Sequence, residues 1–139
     1  MSKEIYPYNR KANYYETDMM GVVHHSNYIR WFEEARLDLM EQAGFNYKDM
    51  EDQGVLIPII GVECQYKQFI TFDEEITIKT KIESFNGIKM HMTYEIYKNI
   101  DNSLCVTGKS SHCFVSKDKK ILRLKRDFPE IYNFFSELV

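Results

Sequence analysis

Asp18 stands seven residues before His25, with Gly21 between them, in the run Tyr14-Tyr15-Glu16-Thr17-Asp18-Met19-Met20-Gly21-Val22-Val23-His24-His25-Ser26-Asn27-Tyr28. An ionised carboxylate can attack a carbonyl carbon or take a proton from water. A glycine lets main chain approach a ligand closely. His25 falls where a helical pattern begins, and a helix start offers unpaired N–H groups and a partial positive charge. A carboxylate beside such donors suits attack on a polarised carbonyl. The pattern alone also admits a plainer reading, in which Asp18 and His25 are loop and capping residues. Tyr14 either lines the site near Asp18 or is a strand aromatic in the core.

Other chemistries find less support. His24 and His25 are adjacent and cannot easily face one metal, and His91, His112 and the three cysteines lack paired-ligand spacing, so no metal is expected. No Gly-x-Ser-x-Gly elbow surrounds a serine, and no phosphate-cradling glycine motif occurs, so neither a serine hydrolase nor a nucleotide cofactor is expected. Lys67, Lys89 and Lys109 could contact phosphates, or could be solvated strand charges.

The elements that must position the run follow from periodicity. Tyr28, Trp31, Phe32, Ala35, Leu39, Met40 and Ala43 recur at helical spacing, with charges between them, which predicts an amphipathic helix buried against a sheet. Ser26 and Asn27 can cap its start, and Gly44 can end it. A first strand is expected over residues 11–17 and a short connector helix around Tyr47–Met50. Four more strands are expected over 55–67 (with Gly61 as a bulge), 75–85, 88–98 and 104–116, the third and fourth of the five joined at Asn86-Gly87. A terminal helix follows, with Asp127 as cap and Pro129 in its first turn. The order predicts an α+β chain: an antiparallel sheet of about five strands curled around one helix.

The same run, Tyr-x-Glu-Thr-Asp-x-x-Gly-Val-Val-x-His-x-Asn-Tyr followed by Trp-Phe-Glu-x-Ala-Arg, resembles the hotdog-fold acyl-CoA thioesterases, nearest the 4-hydroxybenzoyl-CoA thioesterase and YbgC-like branch. The resemblance implies a single hotdog domain over residues 1–139. It implies hydrolysis of an acyl-CoA or acyl-carrier-protein thioester, without cofactor. It assigns catalysis to Asp18, as nucleophile or general base, to the His25 backbone N–H as oxyanion donor, and to Tyr14. Substrate binding falls to Gly21, Val22, Val23 and His24, with Lys89 toward the CoA phosphates. It also implies a homodimer or homotetramer with sites between subunits. Met19, Met20 and Ser26 depart from the family's smaller or different residues, which bears on pocket shape. A non-catalytic acyl-thioester binder and a hydroxyacyl-thioester dehydratase are the rival functions, the second fitting the motif poorly.

Composition sets outer bounds. At 139 residues the chain can bury about two-thirds of its unfolded surface. A net charge of −3 points to neither nucleic acid nor an acidic membrane surface. No apolar run approaches the ~18 residues of a membrane span, and the start lacks a signal-peptide core. Three unpaired-spacing cysteines suggest reduced thiols and a cytoplasmic setting.

Overall fold

The computed structural model describes residues 4–139. Five antiparallel strands form one sheet: β1 (Tyr8–Lys11), β2 (Ile59–Tyr66), β3 (Glu75–Phe85), β4 (Lys89–Lys98) and β5 (Leu104–Cys113), in spatial order β1-β3-β4-β5-β2. Helix α1 (Ser26–Ala43) lies against it, and α2 (Tyr47–Gln53), α3 (Leu124–Asp127) and α4 (Pro129–Leu138) close the far end. This is the α+β arrangement expected from the periodicity.

Packing explains the layout. Trp31 and Phe32 on α1 are fully buried, together with Ile76, Ile78, Ile82, Met92, Tyr94 and Ile96 from alternating positions of β3 and β4. Phe32 stacks on Tyr94 with ring centroids 4.3 Å apart. It also sits directly over Gly108 of β5, where an added Cβ would come within 2.4 Å of the ring. The helix can therefore approach the sheet only because β5 carries no side chain there.

Several boundaries differ from the sequence expectation. The first strand runs over Tyr8–Lys11 rather than 11–17, and Tyr14–Glu16 instead coil into one 3₁₀ turn whose Glu16 carboxylate accepts from the Asn13 N–H. The second strand starts at Ile59 and keeps an unbroken register only from Gly61; upstream of Pro58, Leu56 forms an isolated bridge to Val115. The register shift between Ile59 and Gly61 is the expected bulge. Helix α1 ends at Gly44 in left-handed conformation, as expected. Asp127 does not cap the terminal helix: it closes α3, accepting from the Arg123 N–H, and α4 starts at Pro129 after Phe128.

Among the described residues, both sheet edges, β1 and β2, lack a second neighbouring strand. β2 is exposed along nearly its whole length despite carrying Ile59, Ile60, Val62 and Tyr66. No helix among the described residues is long and apolar enough to cross a membrane.

Candidate active site

The Asp18 loop is a tight turn fixed by its own main chain. Gly21 N–H donates to the Asp18 carbonyl at 3.0 Å and Asp18 N–H to the Val22 carbonyl at 2.9 Å, so Thr17 and Val23 face one another as a short antiparallel bridge. The Asp18 carboxylate accepts from the Met20 N–H at 2.8 Å, the Asx turn that a short acidic side chain makes two residues on. Gly21 has φ +79°, a conformation that strains any residue with a Cβ. Val22 and Val23 tie the loop to the sheet end: Val23 N–H donates to the Ile70 carbonyl and Val22 bridges Thr71.

The turn leads into the start of α1. His24 N–H donates to the Glu16 carbonyl at 2.8 Å. The His24 ring accepts through Nδ1 from the Ser26 N–H, and Ser26 Oγ lies 2.8 Å from the same nitrogen. His25 stands at the N-cap position without a side-chain cap bond, and the acceptor for the first helical N–H comes from the His24 ring rather than from Ser26 or Asn27. Asn27 and Tyr28 N–H groups donate to the carbonyls of His24 and His25. The His25 N–H is left over: among the described residues it finds no acceptor. It is a free donor at the start of α1. The His25 ring stacks on His24 and approaches Tyr66 edge-on at 6.4 Å.

Glu16 holds this assembly together, a role the sequence reading missed. It is only 4% exposed. Its carboxylate accepts from Trp31 Nε1 and from the Arg10 guanidinium, each at 2.6 Å, and from the Asn13 N–H. Its carbonyl accepts from the Asn27 side chain as well as His24. Arg10 reaches on to Glu34 and lies over the Trp31 ring. One buried residue thus fastens the entry of the loop to its exit. The sequence signal was an acidic residue inside an aromatic run with Arg10 six residues earlier, but the partners come from separate elements.

Placement of the other candidates is mixed. Tyr14 is not a core aromatic: it is 75% exposed, packs edge-on against Phe72, and makes no side-chain hydrogen bond to Asp18. Gly21, Val22 and His24 border the loop surface, whereas Val23 is buried beneath it. Lys89 starts β4, paired with Cys113, at the opposite end of the sheet from Thr71 and Glu75. About 30 Å of strand separates it from its own protomer's Asp18 loop. No group of three potential metal ligands occurs among the described residues. Burial pushes the Tyr28 phenol at the helix head well above its ordinary range, so it stays neutral.

Comparison with known proteins places this geometry. Residues 13–137 match the model of the thioesterase-like superfamily. A Bacillus subtilis protein named as a candidate acyl-CoA thioesterase, YneP, is 38% identical over 121 residues, covering 86% of this chain and 87% of its own. The acyl-CoA thioester hydrolase YbgC of Escherichia coli is 25% identical over 104 residues, covering 75% and 77%. A crystal structure of DHNA-CoA thioesterase from Staphylococcus aureus superposes with a TM-score of 0.90 at 37% identity, covering 96% of this chain and 91% of that one. The curled sheet around α1 is the hotdog fold, and the chain belongs to the thioesterase-like superfamily.

Proposed function

We propose that this protein hydrolyses an acyl-CoA thioester, with Asp18 as the reacting carboxylate and the His25 main-chain N–H as oxyanion donor. The observation that carries the reading is the unshared His25 N–H at the start of α1, on the loop whose turn presents Asp18. The Asp18 carboxylate either attacks the thioester carbon or takes a proton from the water that does. In both routes the carbonyl oxygen becomes an oxyanion, the C–S bond breaks, and the thiolate leaves and gains a proton; where Asp18 itself attacks, water then cleaves the resulting acyl–aspartyl anhydride, releasing the acid and restoring the carboxylate. A main-chain donor preset for that oxygen is worth roughly 3–4 kcal/mol of barrier. Gly21 and His24 border the approach, and the exposed Tyr14 flanks it.

The exposed edge of β2 supports a dimer as part of this reading. Antiparallel pairing of β2 with its copy gives a closed two-fold interface and removes the free edge. It lays Tyr66, and with it the catalytic loop, beside Ile59 of the partner subunit, so each site is completed by the other copy. Lys89 then lies at the end of the sheet that the partner's loop faces. A single catalytic domain over residues 1–139 and a reducing cytoplasmic setting, suited to three free thiols, belong to the same proposal.

The test is thiol release from a panel of acyl-CoA esters by wild type and Asp18→Asn. Wild type turns over at least one ester, and Asp18→Asn falls about 10²–10⁴-fold. Full activity in Asp18→Asn would remove Asp18 from the mechanism.

A further inference from the structure

The His25 N–H belongs to the peptide that joins His24 to His25, and three hydrogen bonds hold the His24 side of it. The His24 N–H donates to the Glu16 carbonyl at 2.8 Å, and the His24 carbonyl accepts from the Asn27 N–H at 2.9 Å. The His24 ring reaches past the peptide, its Nδ1 accepting from the Ser26 N–H at 3.2 Å. In a planar trans peptide the C=O and N–H point opposite ways. Holding the His24 carbonyl on Asn27 therefore turns the His25 N–H outward from the helix.

Of these three bonds, only the one to the ring can be switched off by a proton. A ring nitrogen accepts while it carries no proton and donates once it carries one. The Ser26 hydroxyl, 2.8 Å from Nδ1, is placed to accept from a protonated ring. The Ser26 N–H then faces another N–H, and the ring must move off it. The new charge would also stand at the positive end of α1 and against the His25 imidazole, whose ring centroid is 4.2 Å away. Both effects push the charged ring from the helix start.

The titratable and charged groups around the pair supply no partner for that charge. Asp18 on the loop accepts from the Met20 N–H, and the Glu16 carboxylate is shared between Arg10 and Trp31. Tyr28 on α1 and Tyr66 on β2 are pushed up by burial and stay neutral. Arg30, about one turn along α1, is exposed. Among the described residues no carboxylate forms an ion pair with the His24 ring.

We infer that His24 is a positioning residue for the oxyanion donor and that its uncharged ring sets the acid limit of turnover. As pH falls, a proton on His24 releases the Ser26 N–H, and the His25 peptide loses its fixed direction. The ring acts through the main chain and not by touching the ester. This rests on the thioesterase reading and adds a control on its rate.

The experiment is the pH profile of kcat/KM on an acyl-CoA that wild type hydrolyses, followed by loss of thioester absorbance. Wild type, His24→Asn and His25→Asn are each scaled to their own maximum and to the folded fraction read by dichroism at each pH. Asparagine at position 24 offers a carbonyl oxygen that accepts but does not titrate. Histidines ordinarily change charge between about pH 5 and 8. Across that window wild type loses roughly tenfold or more as pH falls, as a misdirected oxyanion donor would cost. The His24→Asn profile stays nearly level, and His25→Asn, which keeps the main-chain donor, retains the fall. A level wild-type profile, an unchanged fall in His24→Asn, or a fall lost in His25→Asn would overturn the inference. If no ester is hydrolysed, the thioesterase reading falls, and NMR decides the ring bond alone. A Ser26 amide resonance that moves with the His24 ring titration supports it, and one that ignores that titration refutes it.

Discussion

The two ends of helix α1 are built on opposite plans. At its start, the Asp18 loop is held by main-chain hydrogen bonds and one buried carboxylate, and it leaves a donor, the His25 N–H, without a partner among the described residues. At its far end, a cavity between the helix and the strand ends is walled by packed side chains, and its cation is the Arg36 guanidinium on a long flexible stem. The first plan fixes the position of small reacting groups to a fraction of an ångström, which bond making requires. The second leaves room that changes with each side chain. The two ends can then vary separately on one fold.

Glu16→Ala should break the loop end most severely. Arg10 loses one of its two carboxylates while Trp31 Nε1 and the Asn13 N–H lose their acceptor. Stability falls by about 3–5 kcal/mol, read from urea unfolding. Turnover drops in whatever fraction stays folded, because the Tyr14–Glu16 turn, whose Glu16 carbonyl receives the His24 N–H, is no longer tied to Arg10 and Trp31.

The cavity end answers to pH. Burial, aided by the Arg36 guanidinium and His91, pushes the His112 imidazole down to about 4. An unfolded histidine titrates near 6.5. Between those values the unfolded chain binds a proton that the native state refuses, so stability is full above about 6.5 and declines as pH falls toward 4. The loss is roughly 3 kcal/mol at most. His112→Phe should unfold in urea with a shallower dependence over that window; an identical slope would mean that His112 does not stay neutral.

Two glycines sharpen the contrast further. Gly108→Ala puts a methyl into the Phe32 ring and should cost about 1–3 kcal/mol, lowering Tm while KM and kcat of the folded protein hold. Gly21→Ala has open space around its new methyl, and the cost is the φ of +79° alone. It should lose only about 1 kcal/mol of stability, yet lower kcat severalfold by shifting Asp18. Reversal of these two patterns would refute the division between a rate-setting loop and a packing-set far end.

How much was readable from sequence follows the same division. Asp18, Gly21 and His25 lie within eight consecutive residues, and their geometry is set by a turn and a helix start, both of which are local. The strands β3 and β4 were equally legible, because Ile76 to Ile82 and Met90 to Ile96 alternate cleanly. The Glu16 network was hidden because Arg10, Asn27 and Trp31 reach it from three elements. The acceptor at the helix start was hidden because a nitrogen of the His24 ring took the part expected of Ser26 or Asn27. Arg36 looked like one more charge on the outer face of an amphipathic helix, and only the sheet's curvature brings it against Tyr94. Lys89 was named by residue type alone, and the strand direction sets it far from its own loop, at the end of the sheet that the partner's loop faces in the proposed dimer.

The shared site can be tested by mixing two disabled copies: Asp18→Asn, with a dead loop and an open cavity, and Leu37→Trp, with a sound loop and an indole filling the space between α1 and the strand ends that Leu37 lines. Random reassortment makes half the dimers mixed, and each mixed dimer holds one site with both parts intact. Activity toward a bulky acyl-CoA should therefore return to about a quarter of wild type. Activity that stays at the level of the separate variants after subunit exchange would contradict a site built from one copy's loop and the other's cavity.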